Sequence, residues 1–345
     1  PFLPDLFAVI IILSLFSYSF YNKNFLIFNN KILIFCLFIC LYFVIVSIYS
    51  HNFISIKSSI FYFRFIVFAF LASYLISCNK DILKKLFYLF LIIYFSLFGD
   101  TLFQYFFSKN IFGFVHHYGE NFRITSFFND DEVLGSYTAR FFPLLMFLLL
   151  WNNNLKNSNK FTFLIKLLTV MTFVIIILSG ERTSIGLFIL SFLFIFISSQ
   201  KFKKLFFIPI IIIILGFIII VSSSEKIKNR VITQTINQMG LNSESDRIIL
   251  FSKTYEGHYL ISYNMFKEKP LFGHGAKMFR VYCKKEENFV AVNACSTHPH
   301  NFYAQMLAET GIMGFFLLIS IFLYICYLFL KNLLFIIFIR KPFLT

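Results

Sequence analysis

Long apolar stretches, separated by short polar connections, make up most of the 345-residue chain. A helix needs about 20 apolar residues to cross a bilayer, and nine stretches come near that length. They run approximately from Leu6 to Tyr21, Ile32 to Ser50, Ile60 to Ser77, Leu86 to Phe107, Val133 to Trp151, Phe161 to Ser179, Thr183 to Ser199, Leu205 to Ser222 and Gly311 to Leu330. A tenth piece, Leu333 to Ile339, is too short to cross and looks like the start of a truncated or re-entrant span. The pattern predicts an all-α polytopic membrane protein with about 9–10 transmembrane helices.

The composition agrees with this pattern. Hydrophobic residues make up 59% of the chain and charged residues only 14%, whereas soluble domains average about 25% charged. This contrast excludes a disordered chain, a nucleic-acid-binding module and an ordinary soluble enzyme. We therefore expect membrane lipids to surround the protein and expect no nucleic acid as a partner.

The net charge of +15 is mainly a topology signal. Lysines cluster in every second connection, and the positive-inside rule places those connections in the cytoplasm. They are Lys23 and Lys31, then Lys80, Lys84 and Lys85, then Lys156 and Lys160, then Lys201, Lys203 and Lys204, and finally Lys331. Two larger connections, Ser108 to Asp131 and Ser223 to about Phe302, then lie outside.

These connections predict one membrane domain with one large, helical outer loop. Residues 1–222 would form transmembrane helices one to eight with short loops, residues 223–302 an outer loop long enough to build a site, and residues 303–345 a C-terminal transmembrane helix and a partial tail. The outer loop has more basic than acidic residues, which the positive-inside rule does not explain. An anionic ligand, anionic head groups or a solvated mixed-charge surface would each account for it.

Cys283 and Cys295 both lie in the outer loop, where an oxidising compartment allows them to pair. Closing a loop of that size would contribute about 3 kcal/mol in the chain-entropy description. A zinc site that combines the two cysteines with His298 and His300 is the alternative, although the spacing matches none of the common structural zinc patterns.

The end of the outer loop carries the most informative chemistry. Pro299 disfavours helical geometry at His298, so a helix is expected to start just after it. Asn301, Gln305 and Glu309 then share one stripe of that helix, with Asn301 near its N-cap. His300 precedes the stripe, and a neutral imidazole there can accept a proton from a hydroxyl nucleophile.

Arginines are the second kind of candidate. Arg182 lies in the tight outer turn between spans six and seven, and its planar fork of donors suits phosphate oxygens. Snorkelling to lipid head groups and pairing with Glu181 are the alternatives. Arg140 lies within span five, where a charge usually faces a cavity or a partner, and Arg123 lies in the first outer loop.

Four short motifs occur in order along the chain. Gly180-Glu181-Arg182 is a Gly-x-Arg turn between two spans, and Ser245-Asp246-Arg247 is a Ser-x-Arg sequence in the outer loop. Pro270-Leu271-Phe272-Gly273-His274-Gly275 follows. Last comes His300-Asn301, then nine residues, then Gly311-Ile312-Met313-Gly314. Together these motifs resemble those of the bacterial O-antigen ligase and polymerase superfamily, over roughly Phe122 to Phe316.

The resemblance implies a GT-C-like membrane glycosyltransferase whose donor is a glycan on undecaprenyl diphosphate. It implies an inverting transfer that needs no cofactor, neither nucleotide nor metal. His300 would be the general base, and Arg182 and Arg247 would bind the diphosphate. Arg140, Arg123, His298, Asn301 and Glu309 would contact substrate. Members commonly have more spans, so, with Pro1 in place of an initiating Met, we expect a shortened chain.

The resemblance also implies a place in cell-envelope synthesis, as a multi-pass protein of the bacterial inner membrane with a periplasmic active site. An O-antigen ligase of lipopolysaccharide biosynthesis would transfer to the lipid A core. An O-antigen or exopolysaccharide polymerase would transfer to a glycan repeat, and a protein O-oligosaccharyltransferase would transfer to a protein. We slightly favour the ligase. Two other functions stay open as alternatives. One is a lipid or solute transporter, for which charged residues within spans would be suitable, and the other is a non-catalytic family member.

Overall fold

The computed structural model describes residues 2–21, 31–115, 123–152, 159–198, 200–238, 253–288, 290 and 294–339. Within these ranges the ordered elements are helices; no β-strand forms, and only an isolated bridge links Lys109 to Val115. The predicted all-α polytopic membrane fold is confirmed.

Fourteen α-helices follow one another along the described chain. They are α1 (Phe2–Tyr21), α2 (Lys31–Tyr49), α3 (Phe53–Ile60), α4 (Phe63–Cys78), α5 (Asp81–Phe107), α6 (Leu134–Trp151), α7 (Asn159–Ser179), α8 (Arg182–Ser198), α9 (Gln200–Ser223), α10 (Glu225–Lys228), α11 (Gln234–Gln238), α12 (Lys253–Glu268), α13 (Phe279–Tyr282) and α14 (Phe302–Ile339). A π-helical turn, Asn229–Thr233, joins α10 to α11.

Each of the nine predicted spans coincides with an apolar helix of the described residues. Six helical segments are long and apolar enough to cross a membrane, and three have shorter apolar parts. The six are Phe53–Cys78, Asp81–Phe107, Leu134–Trp151, Asn159–Ser179, Leu205–Ser223 and Phe302–Lys331, and the three are Val9–Tyr18, Leu33–Tyr49 and Arg182–Phe196. The piece Leu333 to Ile339 was predicted to start a separate span. That prediction is wrong, because these residues continue α14 as one helix.

The chain divides into two compact units, and the first combines Pro1–Asn79 with Arg247–Ile339. In it α1 packs on α4, α2 packs on α3 and α4, and α12 packs on α13 and α14. The two sequence segments interlock closely. Tyr42 donates a hydrogen bond from its hydroxyl to the Thr310 carbonyl over 2.8 Å. A Cβ on Gly275 would lie only 2.8 Å from Ser50 Cβ, so glycine permits the turn to approach the α2–α3 corner.

The second unit spans Lys80–Asp246. Helix α6 packs on α7 and α8, and α7 packs on α9. Bulky side chains such as Phe87, Tyr94, Phe142 and Leu168 are fully buried in its core. Tyr94 also hydrogen-bonds to Thr172, so the one polar group on this aromatic side chain is satisfied inside the bundle.

Buried polar side chains of α5 shape the connection that leads to α6. The Asp100 carboxylate accepts hydrogen bonds from the Ile111 amide over 2.9 Å and the Ser126 hydroxyl over 2.5 Å. The Gln104 carbonyl accepts the amides of Thr125 and Ser126. Buried polar groups need such partners. These bonds fix the backbone just after Arg123.

Candidate active site

The two glycine motifs of the first unit pack directly on each other. The Pro270–Gly275 turn lies against the break in α14, where Gly311 has non-helical backbone angles. The Gly275 amide donates to the Glu309 carbonyl over 2.8 Å, and the Ile312 amide donates to the Pro270 carbonyl over 2.8 Å. The carbonyl and amide groups freed by the helix break are therefore satisfied by the turn.

Both motifs require glycine at the contact. Gly311 has φ 63°, and a Cβ there would overlap the Leu271 carbonyl group. Gly273 has φ 69°, and a Cβ there would lie 2.5 Å from the carbonyl carbon of Glu309. Only glycine combines positive φ with this backbone separation at no steric cost. The contact sets the position of the first turns of α14 and thus of the residues that precede them.

Helix α14 starts where the sequence predicted. The Asn301 side-chain oxygen accepts the amides of Tyr303 over 3.0 Å and Ala304 over 3.2 Å, which makes Asn301 the N-cap. His300 precedes the cap with φ 53°, a left-handed conformation that is uncommon outside glycine. Such outliers concentrate at functional sites, where the surrounding structure holds them in place.

Three histidine rings gather at this helix start. The rings of His298 and His300 have centroids 4.3 Å apart, and those of His258 and His300 are 5.4 Å apart. The Tyr255 ring lies 5.6 Å from that of His300. His258 belongs to α12 and was not singled out from the sequence. The one indication in the sequence was that His258 falls on the same helical stripe as Ile261 and Met265, which are both buried in the core.

His258 is held in a defined orientation. It is buried, and its Nδ1 lies 2.6 Å from the Ala294 carbonyl oxygen, to which Nδ1–H donates. In the neutral ring this bond leaves the lone pair on Nε2. Gly257 makes the contact possible, because a Cβ at that position would lie 2.7 Å from the Ala294 side chain.

The environment favours the uncharged form of the two exposed histidines. Partial burial lowers the pKa of His300, and the neighbouring His298 and His258 lower it further. Partial burial also lowers the pKa of His298, with further contributions from the positive charge of Arg280 and from His258. An imidazole whose pKa lies below its usual value near 6.5 is unprotonated at pH 7 and can act as a base.

Glu309, predicted to contact substrate, is buried behind this cluster. Its carboxylate accepts the Phe279 amide over 3.2 Å and the Gln305 side-chain amide over 3.1 Å. The bond from Phe279 anchors α13 on α14, and the bond from Gln305 lies within α14. They favour a role in positioning the site over direct contact with a ligand.

Cys283 and Cys295 form a disulfide, with Cα atoms 5.2 Å apart. The bond ties the end of α13 to the segment that leads into His298. Because both sulfur atoms are used in the bond, the alternative zinc site lacks its thiolate ligands. In the part of the chain that the structure describes, no group of three or more His, Cys, Asp or Glu residues is placed to hold a metal ion.

In the second unit, the Gly180-Glu181-Arg182 turn is fixed by its glutamate. Glu181 accepts the amides of Gly135 over 2.7 Å and Ser136 over 3.0 Å, at the positive end of α6. It also accepts the Ser184 hydroxyl over 3.0 Å. Arg182 starts α8 and donates from Nη1 to the Thr235 hydroxyl over 3.1 Å.

Arg230 supports the same turn and was also missed from the sequence. It is buried in the π-helical turn, where it donates from Nε to the Gly180 carbonyl over 3.4 Å and from Nη1 to Gln234 over 2.5 Å. π-Helical turns often occur at functional sites. No motif in the sequence marks them.

The other predicted arginines have different surroundings. Arg123 forms an ion pair with Glu132. Arg140 is exposed on α6 and lines a surface groove with Ser136 and Tyr137, rather than an enclosed cavity. Arg247, with Ser245 and Asp246, lies outside the described residues. His300 belongs to the first unit, and Arg182, Arg123 and Arg140 belong to the second.

One segment of the chain, which contains the Gly180-Glu181-Arg182 turn and the Pro270–Gly275 turn, matches a known protein family. Residues 167–319 match the family model described as O-antigen ligase. The chain carries an O-antigen ligase domain. The match bears out the predicted superfamily over these residues and supports glycan transfer of the O-antigen ligase or polymerase type. The domain covers Arg182, Arg230, the glycine turn and the histidine cluster. Neither a curated protein nor a solved structure matches the chain.

Proposed function

We propose that the protein transfers a glycan from an undecaprenyl-diphosphate carrier to an acceptor hydroxyl. The reaction takes place at the periplasmic face of the bacterial inner membrane. The observation that carries this proposal is His300, an exposed imidazole with a lowered pKa, held in left-handed geometry within an O-antigen ligase domain. We favour the ligase, with the lipid A core as acceptor. A glycan repeat or a protein side chain is the acceptor in the polymerase and protein-glycosylating alternatives.

His300 acts as the general base in this proposal. Its ring nitrogen takes the proton of the acceptor hydroxyl while the acceptor oxygen attacks the anomeric carbon of the donor. The new carbon–oxygen bond forms as the bond to the diphosphate oxygen breaks, and the electron pair leaves with the diphosphate. Attack from the face opposite the leaving group inverts the anomeric centre.

Arg182 and Arg247 bind the diphosphate and offset the charge that develops on it. Fixed cationic donors can stabilise such a leaving group, so the reaction proceeds without a metal or other cofactor. The rigid setting of Arg182 supports this role, because Glu181 and Arg230 hold the turn that carries it. Arg123 and Arg140 contribute weaker contacts to the donor.

His258 and His298 lie beside the His300 ring and help to keep it uncharged by lowering its pKa. His258 has one nitrogen committed to the Ala294 carbonyl, so its ring presents a constant face to His300. The Nδ1 atom of His298 is hydrogen-bonded to the Thr297 hydroxyl over 2.9 Å. Asn301 and Glu309 position the helix start through the cap and the α13 anchor.

Complementation tests the proposal. The native copy is deleted and replaced by wild type, His300→Ala, Arg182→Ala or the control Lys285→Ala, an exposed lysine of the outer segment. Membrane abundance is measured for each. We expect His300→Ala and Arg182→Ala to accumulate lipid-linked glycan and lose the surface product, while Lys285→Ala behaves as wild type.

The length of the accumulated glycan separates the versions. Long chains mean that ligation has failed, and single repeats mean that polymerisation has failed. If both site variants restore the wild-type pattern at normal abundance, the catalytic assignment is wrong and the transporter or non-catalytic alternative is favoured.

A further inference from the structure

Arg280 lies on a short helix that is fixed at both ends. The first residue of α13, Phe279, donates its amide to the buried Glu309 carboxylate over 3.2 Å. The residue that follows α13, Cys283, is disulfide-bonded to Cys295, three positions before His298. The backbone of Arg280 is therefore fixed relative to both α14 and the histidine segment.

The guanidinium group of Arg280 has an unused donor. Its Nε atom is buried, and no hydrogen-bond partner for it occurs among the described residues. A buried donor without an acceptor is unfavourable, and few occur in native proteins. A ligand that supplies the acceptor accounts for such a group, especially on an arginine beside an active-site cluster.

Glu309 is the acidic residue whose charge interacts with Arg280, but no ion pair between them occurs among the described residues. The acceptor sites of the Glu309 carboxylate are occupied by the Phe279 and Gln305 donors, so the Nε donor of Arg280 has no partner there. The neighbouring histidines add no negative charge, and the charge of Arg280 itself helps to keep His298 unprotonated. Lys277 and Lys284 flank Arg280 in the sequence and make the segment more basic. An anion is the complementary ligand for this arrangement.

We propose that Arg280 binds a phosphate-bearing anion beside His298. Resting on the proposed function, the favoured source is the diphosphate of the lipid-linked donor, held side-on by Nε and one terminal nitrogen of the guanidinium fork. The head group of an anionic lipid has the same chemistry and is the second possible source. A lysine at position 280 would supply the positive charge but not the planar set of donors that binds phosphate oxygens side-on.

The test measures binding of inorganic pyrophosphate to the purified full chain in phosphatidylcholine nanodiscs by titration calorimetry. We expect Arg280→Gln to weaken binding by at least about tenfold, because charge and fork are lost together. Arg280→Lys should fall between Arg280→Gln and wild type. The control Lys285→Gln removes the positive charge of an exposed lysine that pairs with Glu287 and should bind as wild type does. The melting temperature and thiol alkylation of Cys283 and Cys295 establish that each variant is folded, and Arg280→Lys carries the test if Arg280→Gln is not.

A second set of nanodiscs contains phosphatidylglycerol and identifies the source of the anion. If Arg280→Gln changes pyrophosphate binding, the diphosphate source is supported. If it changes only the amount of phosphatidylglycerol that copurifies, the site takes a lipid head group. Unchanged binding in both arms, in folded variants, overturns the proposal. Failure of the proposed function is a separate result, because complementation by His300→Ala reports on transfer and not on pyrophosphate binding.

Discussion

Gly311 passes so close to Leu271 that a methyl group on Gly311 would overlap the Leu271 carbonyl. This contact joins the break in α14 to the Pro270–Gly275 turn, and the adjoining amides of Ile312 and Gly275 complete it with hydrogen bonds. Two glycine motifs that are separated in sequence thus form one backbone junction beneath the histidine cluster.

Gly311→Ala is expected to destabilise the protein by at least about 2 kcal/mol, because it adds both positive-φ strain and overpacking. Gly186→Ala is the matched control. Gly186 lies in α8 with nothing within 4 Å of an added Cβ, so alanine there should leave stability unchanged or raise it slightly. Thermal unfolding in detergent measures both variants. Equal melting temperatures would show that the backbone junction contributes little.

Transfer is expected to persist below pH 6.5 and to fall only at more acidic pH. The pKa of His300 is lowered, so its base form is retained as the pH passes the usual histidine value and is lost once His300 protonates. Initial rates in membrane vesicles between about pH 5 and 8 give the profile. An acidic limb above pH 6.5 contradicts the assignment of His300 as the base.

His258→Phe is expected to lower the transfer rate by about tenfold and to move the acidic limb toward higher pH. The shift follows because His258 helps to lower the pKa of His300, and its removal raises that pKa. His274→Phe is the control, since His274 is also a buried histidine bonded to a backbone carbonyl, that of Met265. His274→Phe should lower the stability of the protein without shifting the acidic limb of the pH profile of transfer. A common shift in both variants argues for a purely structural role of His258.

Reduction of the Cys283–Cys295 bond, or Cys283→Ser, is expected to lower stability by about 3 kcal/mol and to reduce transfer. The bond restrains the segment that carries His298 and His300, so its loss loosens the site. Cys78→Ser changes an exposed free cysteine and should have no effect. Thermal unfolding with and without reductant measures the contribution. Identical curves would mean that the helix contacts alone fix the segment.

Glu181→Gln is expected to destabilise the second unit by about 1–2 kcal/mol, because Gln has one acceptor oxygen where Glu181 uses two. Glu225→Gln serves as the control, since Glu225 is exposed on α10. Chemical unfolding monitored in detergent compares the two. If they behave alike, the carboxylate does not hold the Arg182 turn.

The sequence predicted the apolar helices well because bilayer crossing imposes a long, uniform apolar pattern. It also predicted the start of α14, since Pro299 and Asn301 act through local geometry. The continuation of α14 through Leu333 to Ile339 was missed, because the predicted span ended at Leu330 and Lys331 was assigned to a connection.

Long-range partners could not be predicted in the same way. His258 meets His300 only through the packing of α12 on α14, and Arg230 reaches Gly180 from a different part of the chain. The family resemblance predicts that Glu309 contacts substrate, and that prediction stays open. The hydrogen bond that Glu309 accepts from the amide of Phe279 depends on where α13 folds back, which the sequence did not indicate.

The two sequence segments of the first unit are synthesised at different times. Ser50 and Ser55 emerge from the ribosome long before Gly275, the residue that packs against them. At about 5–20 residues per second the wait is about 11–45 s. Lys80–Asp246, which belong to the second unit, are synthesised during this interval. The corner between α2 and α3 therefore stays without its covering turn until the second segment of the first unit has been made.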